Sequence, residues 1–512
     1  MMNRVESDRR IARNTLFLYV RMAFVLLISL YTTRTVLQVL GIEDYGIYNV
    51  VCGFVSMFTI FTVAFSFSIT RFYNEAIGQG DSARLSAACS TAFFIQCILA
   101  FLVVATVEAA GLWYVSSRMV IPPDRLGTAM VIFQFSVVSM AIAIVQAPFS
   151  ALIMAKEHMD YYALVSVANA VLNLINVFIL KSLSCDKLLV WGILCLLASI
   201  AVFAMYFLFC RLRFRELRLT GAPDRTMFGK MLSFSGWSIL DPLAYTMRGQ
   251  GCNMVLNSFF GPVVNAAYSL SIQVSNALEQ FTGNISTAFT PQLQQSYASG
   301  DEPRALSLTF SMSKITFALL AMLSVPLVFE MDYVLDLWLK GSVPDHTVSF
   351  ASLIIAVKLI DTLQTPLTRL TQATGRIRSY MIWASLLVSL TLPLGYFLLK
   401  AGLAAESLFC GMVLITFLNL LLSLYLASRT VGSLSFGEYL RCVIIPCFFH
   451  IGVVAAVVIV PSLLMESSFL RLVLTCLLSV AASVLMAFCI LLGREERARL
   501  AGFVKHKIKF RH

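Results

Sequence analysis

Long apolar stretches follow one another almost without a break along this chain. Fourteen of them are candidate helices: 12–38, 46–69, 88–114, 126–152, 163–182, 188–210, 233–258, 262–288, 311–333, 347–370, 380–400, 404–427, 441–463 and 469–492. Each is about 20 residues or longer, enough to cross a hydrocarbon layer as a helix. The apolar residues run continuously and do not alternate with polar ones, so the spans are helices and not strands of a barrel.

The polar punctuation repeats. Gly80-Asp81-Ser82-Ala83-Arg84 returns 220 positions later as Gly300-Asp301-Glu302-Pro303-Arg304. At the same offset Gly41 and Tyr48 match Gly261 and Tyr268. Downstream, Gln146-Ala147-Pro148 with Tyr162 matches Gln364-Thr365-Pro366 with Tyr380 at an offset of 218. Spans 1–6 and 7–12 are therefore two copies of one unit. Six is even, so both copies enter the membrane from the same side, as parallel repeats facing a central path. The expected organisation is a first lobe at 1–210, a basic interlobe linker at 211–232, a second lobe at 233–427, two extra helices at 428–493 and a basic tail at 494–512.

Composition agrees with a membrane chain. It is 59% hydrophobic and 13% charged, where soluble domains carry about 25% charge. The net charge of +11 is a matter of topology. With an inside N-terminus the inner segments hold 27 Lys and Arg and the outer segments 7, which places both termini in the cytoplasm. The basic residues are divided among many short loops, so a nucleic-acid face is not needed to explain them. The Arg9, Arg10 and Arg13 cluster precedes an apolar stretch too long for a cleaved signal. The twelve cysteines and five histidines show no ligand spacing, so no metal is expected. No P-loop, zinc-protease or hydrolase motif is present, and no cofactor is implied.

Charges inside spans are costly in lipid and usually face a cavity or a partner. Arg248 sits roughly 22 Å along span 7 at 1.5 Å per residue, too deep for easy snorkelling. It is a candidate anion site or half of an interhelical pair. Arg21 and Arg34 in span 1 point about 140° apart, so a straight helix does not aim both at one spot. Lys358 and Asp361 in span 10 are three residues apart, where side chains meet. They form either a self-neutralising pair or a relay opened by a gradient. Glu279 and Asp241 are further carboxylates for ion coupling. Pro148 and Pro366, at equivalent places in spans 4 and 10, and Pro242 in span 7 are either hinges for alternating access or fixed kinks.

Three stretches carry a family likeness. They are Thr33-Arg34-Thr35-Val36-Leu37-Gln38-Val39-Leu40-Gly41 leading to Tyr45-Gly46-Ile47-Tyr48, Arg71-Phe72 to Gly80-Asp81, and Gly249-Gln250-Gly251 through Asn257 to Ala267. With two parallel six-helix lobes and two further C-terminal helices, the chain resembles the multidrug/oligosaccharidyl-lipid/polysaccharide (MOP) exporter superfamily, and within it the Wzx-type polysaccharide flippases. The resemblance implies an all-α, V-shaped fold of about 14 spans and no enzymatic activity. It implies that the chain moves a polyprenyl-pyrophosphate-linked oligosaccharide from the cytoplasmic to the periplasmic leaflet of a bacterial inner membrane, by alternating access, for surface polysaccharide synthesis (O-antigen, capsule or lipopolysaccharide). Its partners are then the lipid-linked substrate, membrane lipids, a coupling ion (H+ or Na+) and polysaccharide-assembly proteins. Arginines of the first lobe and of the start of the second serve the pyrophosphate in that family, and Arg34, Arg21 and Arg248 are the matching positions. A cation-coupled drug exporter of the MATE type is the alternative.

Overall fold

The computed structural model describes residues 24–78, 80–156, 158–183, 185–214, 224–238, 240–298, 300–374 and 376–491, and these fold as helices and short connections with no strand among them. The first stretch gives α1 (Phe24–Leu40). It is followed by α2 (Ile42–Ser56), a 3-10 turn at Met57–Thr59, α3 (Ile60–Gly78), α4 (Ser82–Ser117), α5 (Leu126–Ala155), α6 (Met159–Ser182) and α7 (Lys187–Arg213). The second half continues with α8 (Arg225–Ser238), α9 (Leu240–Phe260), α10 (Pro262–Ala298), α11 (Glu302–Phe329), α12 (Met331–Leu339), α13 (Thr347–Ala373), α14 (Arg378–Ser389), α15 (Thr391–Lys400) and α16 (Glu406–Thr430). Last come α17 (Phe436–Tyr439), α18 (Ile445–Leu464) and α19 (Phe469–Met486).

All fourteen expected stretches contain helix where they are described, with a turn at Glu330 inside 311–333 and at Leu390 inside 380–400. Ten helices among the described residues are long and apolar enough to cross a membrane, or eleven if the bent pair α1 and α2 counts as one span. The stretches below that mark when taken singly are 12–38, 46–69, 233–258 and 262–288. These are the first two spans of each repeat.

The repeat is visible in backbone geometry. The helical run 42–78 corresponds to α10 at 262–298, an offset of 220 throughout. Gly41 and Gly261 each precede such a run with positive φ, 83° and 77°. At Gly41 the chain bends by 119° between α1 and α2. Glycine takes this left-handed conformation without the Cβ clash that other residues meet. The other corner also repeats. Gly80 and Gly300 have φ of 67° and 83°, and their N–H groups donate to Ile77 O and Tyr297 O. Asp81 and Asp301 then cap the next helix, each carboxylate accepting from the backbone N–H three residues on, Arg84 at 2.9 Å and Arg304 at 3.1 Å. A carboxylate there satisfies a donor that the helix cannot.

A third repeated feature ties helix starts together. Asp186 accepts from Leu188 N at the start of α7, from Arg125 Nη1 at 3.3 Å and from Thr128 Oγ1 at 3.0 Å. At the matching places Glu406, on α16, lies 2.6 Å from His346 Nδ1 and accepts from Ser349 Oγ at 3.0 Å.

By packing, the chain divides into two units, Met1–Ser269 and Leu270–His512, with the division inside α10. In the first unit α5 is the hub, lying against α2, α3, α4 and α7. Phe149 on α5 sits among Phe93, Phe203 and Phe207 with ring centroids 5.4–6.0 Å apart. Aromatic edges placed on neighbouring faces in this way add to the area they bury. Of the expected linker 211–232, residues 215–223 lie outside the described ones, and from Arg225 the chain is already helix. Asp224 opens α8: its carboxylate accepts from the Thr226 hydroxyl and from the Thr226 and Met227 N–H groups, which hold its pKa below the usual carboxylate value.

The α9–α10 turn belongs to this first unit and is fixed by buried asparagines. Asn257 accepts from Val120 N at 2.9 Å and donates to Asn265 Oδ1 at 3.0 Å. Asn265 donates to Asn253 O and Oδ1, each at 2.6 Å, and Asn253 donates to Asn49 O at 3.3 Å. Amides buried in this way need their full set of partners, which rigidifies the turn. Gly46 on α2 lets that turn approach: a Cβ there would stand 1.9 Å from Pro262 O.

In the second unit α13 packs on α11 and α16, and α16 on α14 and α15. The two helices outside the duplication, α18 and α19, dock on α11. Val325, Val454, Val458 and Ala482 form the apolar seam. A buried ion pair closes its end: Arg471 Nε and Nη2 donate to Glu330 Oε2 at 3.0 and 2.7 Å, with the Glu330 side chain fully buried.

Candidate functional site

A cavity of about 590 Å³ lies in the second unit, among α10, α11 and α13. Its two main walls are written in the same spacing. On α10 the lining positions are Glu279, Thr282, Gly283, Ser286 and Thr290. On α13 they are Lys358, Asp361, Thr362, Thr365 and Arg369. Steps of three and four residues keep each set on one face of its helix. Thr316 and Leu320 of α11 complete the lining.

Lys358 Nζ is 2.6 Å from Glu279 Oε2, across the cavity. The within-helix pairing of Lys358 with Asp361 expected from the sequence is therefore replaced by an interhelical one. A lysine N-terminal to its acid is the poorer orientation on a helix, and an extended lysine reaches the facing helix. Asp361 lines the same cavity. Arg369 donates from Nη1 to Gln372 Oε1 at 3.0 Å, and its Nε has no partner among the described residues. By sequence Arg369 falls at the last turn of span 10, among the inner basic residues that set topology. Its position eleven residues after Lys358, on the same face, was the signal available.

The threonine hydroxyls of the cavity donate to their own helices. Thr282 donates to Glu279 O at 3.0 Å, Thr290 to Ser286 O at 2.7 Å and Thr316 to Met312 O at 2.7 Å. Thr362 donates to Leu359 O at 2.7 Å and Thr365 to Asp361 O at 2.9 Å. Each donor is thus satisfied within the helix, and the hydroxyl oxygens keep lone pairs as acceptors.

The other expected residues are placed elsewhere. Arg248 is buried in α9 of the first unit, 7% exposed, with its guanidinium 4.9 Å from the centre of the Tyr245 ring. Burial and a stacked aromatic hold the cation in a fixed place. Arg34 is half-buried on α1, and no hydrogen bond or ion pair among the described residues engages it. Arg21 lies outside the described residues. Asp241 and Pro242 fall at the start of α9, and their side chains are outside the described ones. Span 7 is helical on both sides of residue 239, which lies outside the described residues. Pro148 and Pro366 are buried inside α5 and α13, both of which run on past them.

Paired helical repeats, helices long and apolar enough to cross a membrane and a polar cavity inside one of the units give a polytopic helical fold similar to that of transporters of the MOP superfamily. Solved structures agree. An inward-facing multidrug resistance MATE family transporter of that superfamily matches with a TM-score of 0.67, 14% identity, 81% of this chain and 98% of its own. The lipid II flippase MurJ in an inward closed conformation matches with a TM-score of 0.66 and 12% identity, over 92% of this chain and 98% of its own. The chain belongs to the polysaccharide biosynthesis protein family, whose model matches residues 11–297. Among curated proteins it is similar to the uncharacterized membrane protein EpsK of Bacillus subtilis (strain 168), 22% identical over 302 residues. That match spans 58% of each of the two chains.

Proposed function

We propose that this protein flips a polyprenyl-pyrophosphate-linked oligosaccharide from the cytoplasmic to the periplasmic leaflet for surface polysaccharide synthesis, by alternating access. The observation that carries the reading is the polysaccharide biosynthesis family match over residues 11–297. A second observation favours a flippase over a MATE-type drug exporter. The lipid II flippase accounts for 92% of this chain and the MATE transporter for 81%.

In this reading both termini face the cytoplasm of a bacterium, and the chain sits in the inner membrane. Arg248, with Arg34 and Arg21, holds the pyrophosphate. A guanidinium remains charged when buried and offers a fork that fits phosphate oxygens. The lipid tail stays in the bilayer while the head group crosses. Coupling to H+ or Na+ falls to Asp361 and Asp241, since Glu279 is already neutralised by Lys358. Polysaccharide-assembly proteins would receive the product.

Deletion of the gene and complementation tests the reading. The deletion strain should lose surface polysaccharide and accumulate lipid-linked oligosaccharide on the cytoplasmic leaflet. Arg248→Ala should fail to restore it and Arg248→Lys should restore it in part. Intact surface polysaccharide in the deletion strain, with hypersensitivity to cationic drugs, would refute the flippase and leave the drug exporter.

A further inference from the structure

We infer that the groove among α4, α5 and α7 of the first unit binds one membrane lipid whose head group carries a primary ammonium, a phosphatidylethanolamine. The site does not rest on the flippase reading.

The groove encloses about 410 Å³, and its wall is apolar: Val104 of α4, Val138, Ile142 and Val145 of α5, and Phe203 of α7. Phe101, one turn before Val104, is exposed, as a side chain against acyl chains would be. One ionisable group lines the groove, Glu108. Its Oε2 accepts from Gln134 Nε2 at 3.0 Å, and no cation among the described residues pairs with it. A carboxylate in a membrane span is costly and calls for a partner. The neutral amide takes only one of its roughly four lone-pair positions.

The polar pair stands at one end of the groove. α4 and α5 run antiparallel, joined by the short connection 118–125. From Glu108 the α4 wall therefore runs back to Val104 as the α5 wall runs on from Gln134 to Val145. That α5 stretch is about 16 Å long at 1.5 Å per residue, and one leaflet is half of roughly 30 Å. α5 has 30 residues, hence a length of about 45 Å. Centred in the bilayer it extends about 7 Å beyond each face, and Gln134, roughly 12 Å from its start, lies about 5 Å below the surface. The pair is thus near the depth of a lipid's head-group junction, with a groove below it that has the reach of an acyl chain.

Charge selects the head group. The Glu108 carboxylate repels an anionic lipid such as phosphatidylglycerol, and equally the pyrophosphate of a lipid-linked sugar. It attracts the ammonium of phosphatidylethanolamine, which brings N–H donors for a charge-assisted hydrogen bond. Gln134 is exposed, and its amide has a second N–H for the lipid phosphate. The trimethylammonium of phosphatidylcholine has no N–H to offer. A metal ion needs several oxygen ligands, and the groove has one carboxylate.

A purely structural pair needs the hydrogen bond and not the charge, and Glu108→Gln separates the two. The experiment is native mass spectrometry of the full chain in detergent. Phosphatidylethanolamine, phosphatidylcholine or phosphatidylglycerol with the same acyl chains is added. The parent should bind phosphatidylethanolamine most tightly. In Glu108→Gln that affinity should fall roughly 10- to 100-fold, the worth of one hydrogen bond to a charged group, with phosphatidylcholine binding unchanged. Ala141→Phe fills the groove below the pair and should weaken both lipids. Melting midpoints of the same samples check that the variants fold. Equal binding of the three lipids by the parent, or a preference for phosphatidylglycerol, would overturn the site. So would a Glu108→Gln variant that keeps the parent's preference, or undiminished binding in Ala141→Phe.

Discussion

Gly46 offers the sharpest test of the packing. A Cβ built on it stands 1.9 Å from Pro262 O, 2.7 Å from Pro262 C and 3.2 Å from Pro262 Cα. Ordinary contact between heavy atoms begins near 3.5 Å, so α2 and the α9–α10 turn must separate by about 1.5 Å to admit a methyl group. The obstructing atoms are backbone and have no rotamer to change. They are also held by the asparagine network around Gly261. Overpacking of this kind costs about 1–3 kcal/mol and occasionally more. With rigid neighbours on both sides the upper end applies, about 3 kcal/mol for Gly46→Ala. At roughly 2–4 °C per kcal/mol for a unit of this size, the melting midpoint should fall by about 6–12 °C. The assay is fluorescence-detected size exclusion after a temperature series in detergent. Gly127→Ala is the matched control: it lies in the first turn of α5 with no atom within 4 Å of its would-be Cβ, and it should be neutral or stabilising by up to about 1 kcal/mol. A Gly46→Ala midpoint within 2 °C of the parent, on the order of the control shift, would refute the close approach.

Four further outcomes follow from the same structure. Glu330→Ala should cost about 3–5 kcal/mol by stranding the buried Arg471 guanidinium, and the joint replacement Glu330→Leu with Arg471→Met should recover most of it in the same melting assay. Asp81→Ala and Asp301→Ala should each cost about 0.5–2 kcal/mol. Near-equal midpoint shifts are expected because the two caps share one geometry, and a large inequality would contradict the repeat. Asn265→Leu should cost about 1–3 kcal/mol by leaving buried Asn253 and Asn257 groups unpaired, read as earlier exchange of the α9–α10 amides in hydrogen-exchange mass spectrometry. Lys358→Glu should abolish complementation by placing two carboxylates together, and adding Glu279→Lys should restore it. Failure of the double variant to restore would argue against a pairing role.

Some of the site was readable from one dimension. The polar faces of α10 and α13 follow from spacing alone, since 279, 283 and 286 or 358, 362 and 365 return to one side of a helix every three or four residues. Glu279, Lys358 and Asp361 could thus be singled out as intramembrane charges. Which of them meet could not. Lys358 and Asp361 satisfy the local rule for a helix pair, yet the ammonium goes to Glu279, 79 positions away. Arg369 was hidden for a different reason: close to the inner end of its span, it counts as topology until the facing wall shows that it belongs to the cavity.

The sequence by itself determined the membrane class, the helical secondary structure and the twofold repetition, down to glycines with positive φ and their capping aspartates. Those properties are local: hydropathy over some twenty residues, φ freedom at one residue, a cap three residues long. Tertiary structure alone decided that the α9–α10 turn packs with the first unit through Asn253, Asn257 and Asn265, that α18 and α19 dock on α11, and that Lys358 crosses to Glu279. Each depends on side chains from helices far apart in the chain meeting in a register that only packing sets. In a bilayer, where apolar faces gain nothing from water by choosing one another, close backbone approach and polar pairing set that register. A single glycine or asparagine can carry it, with no periodic signature to announce the role.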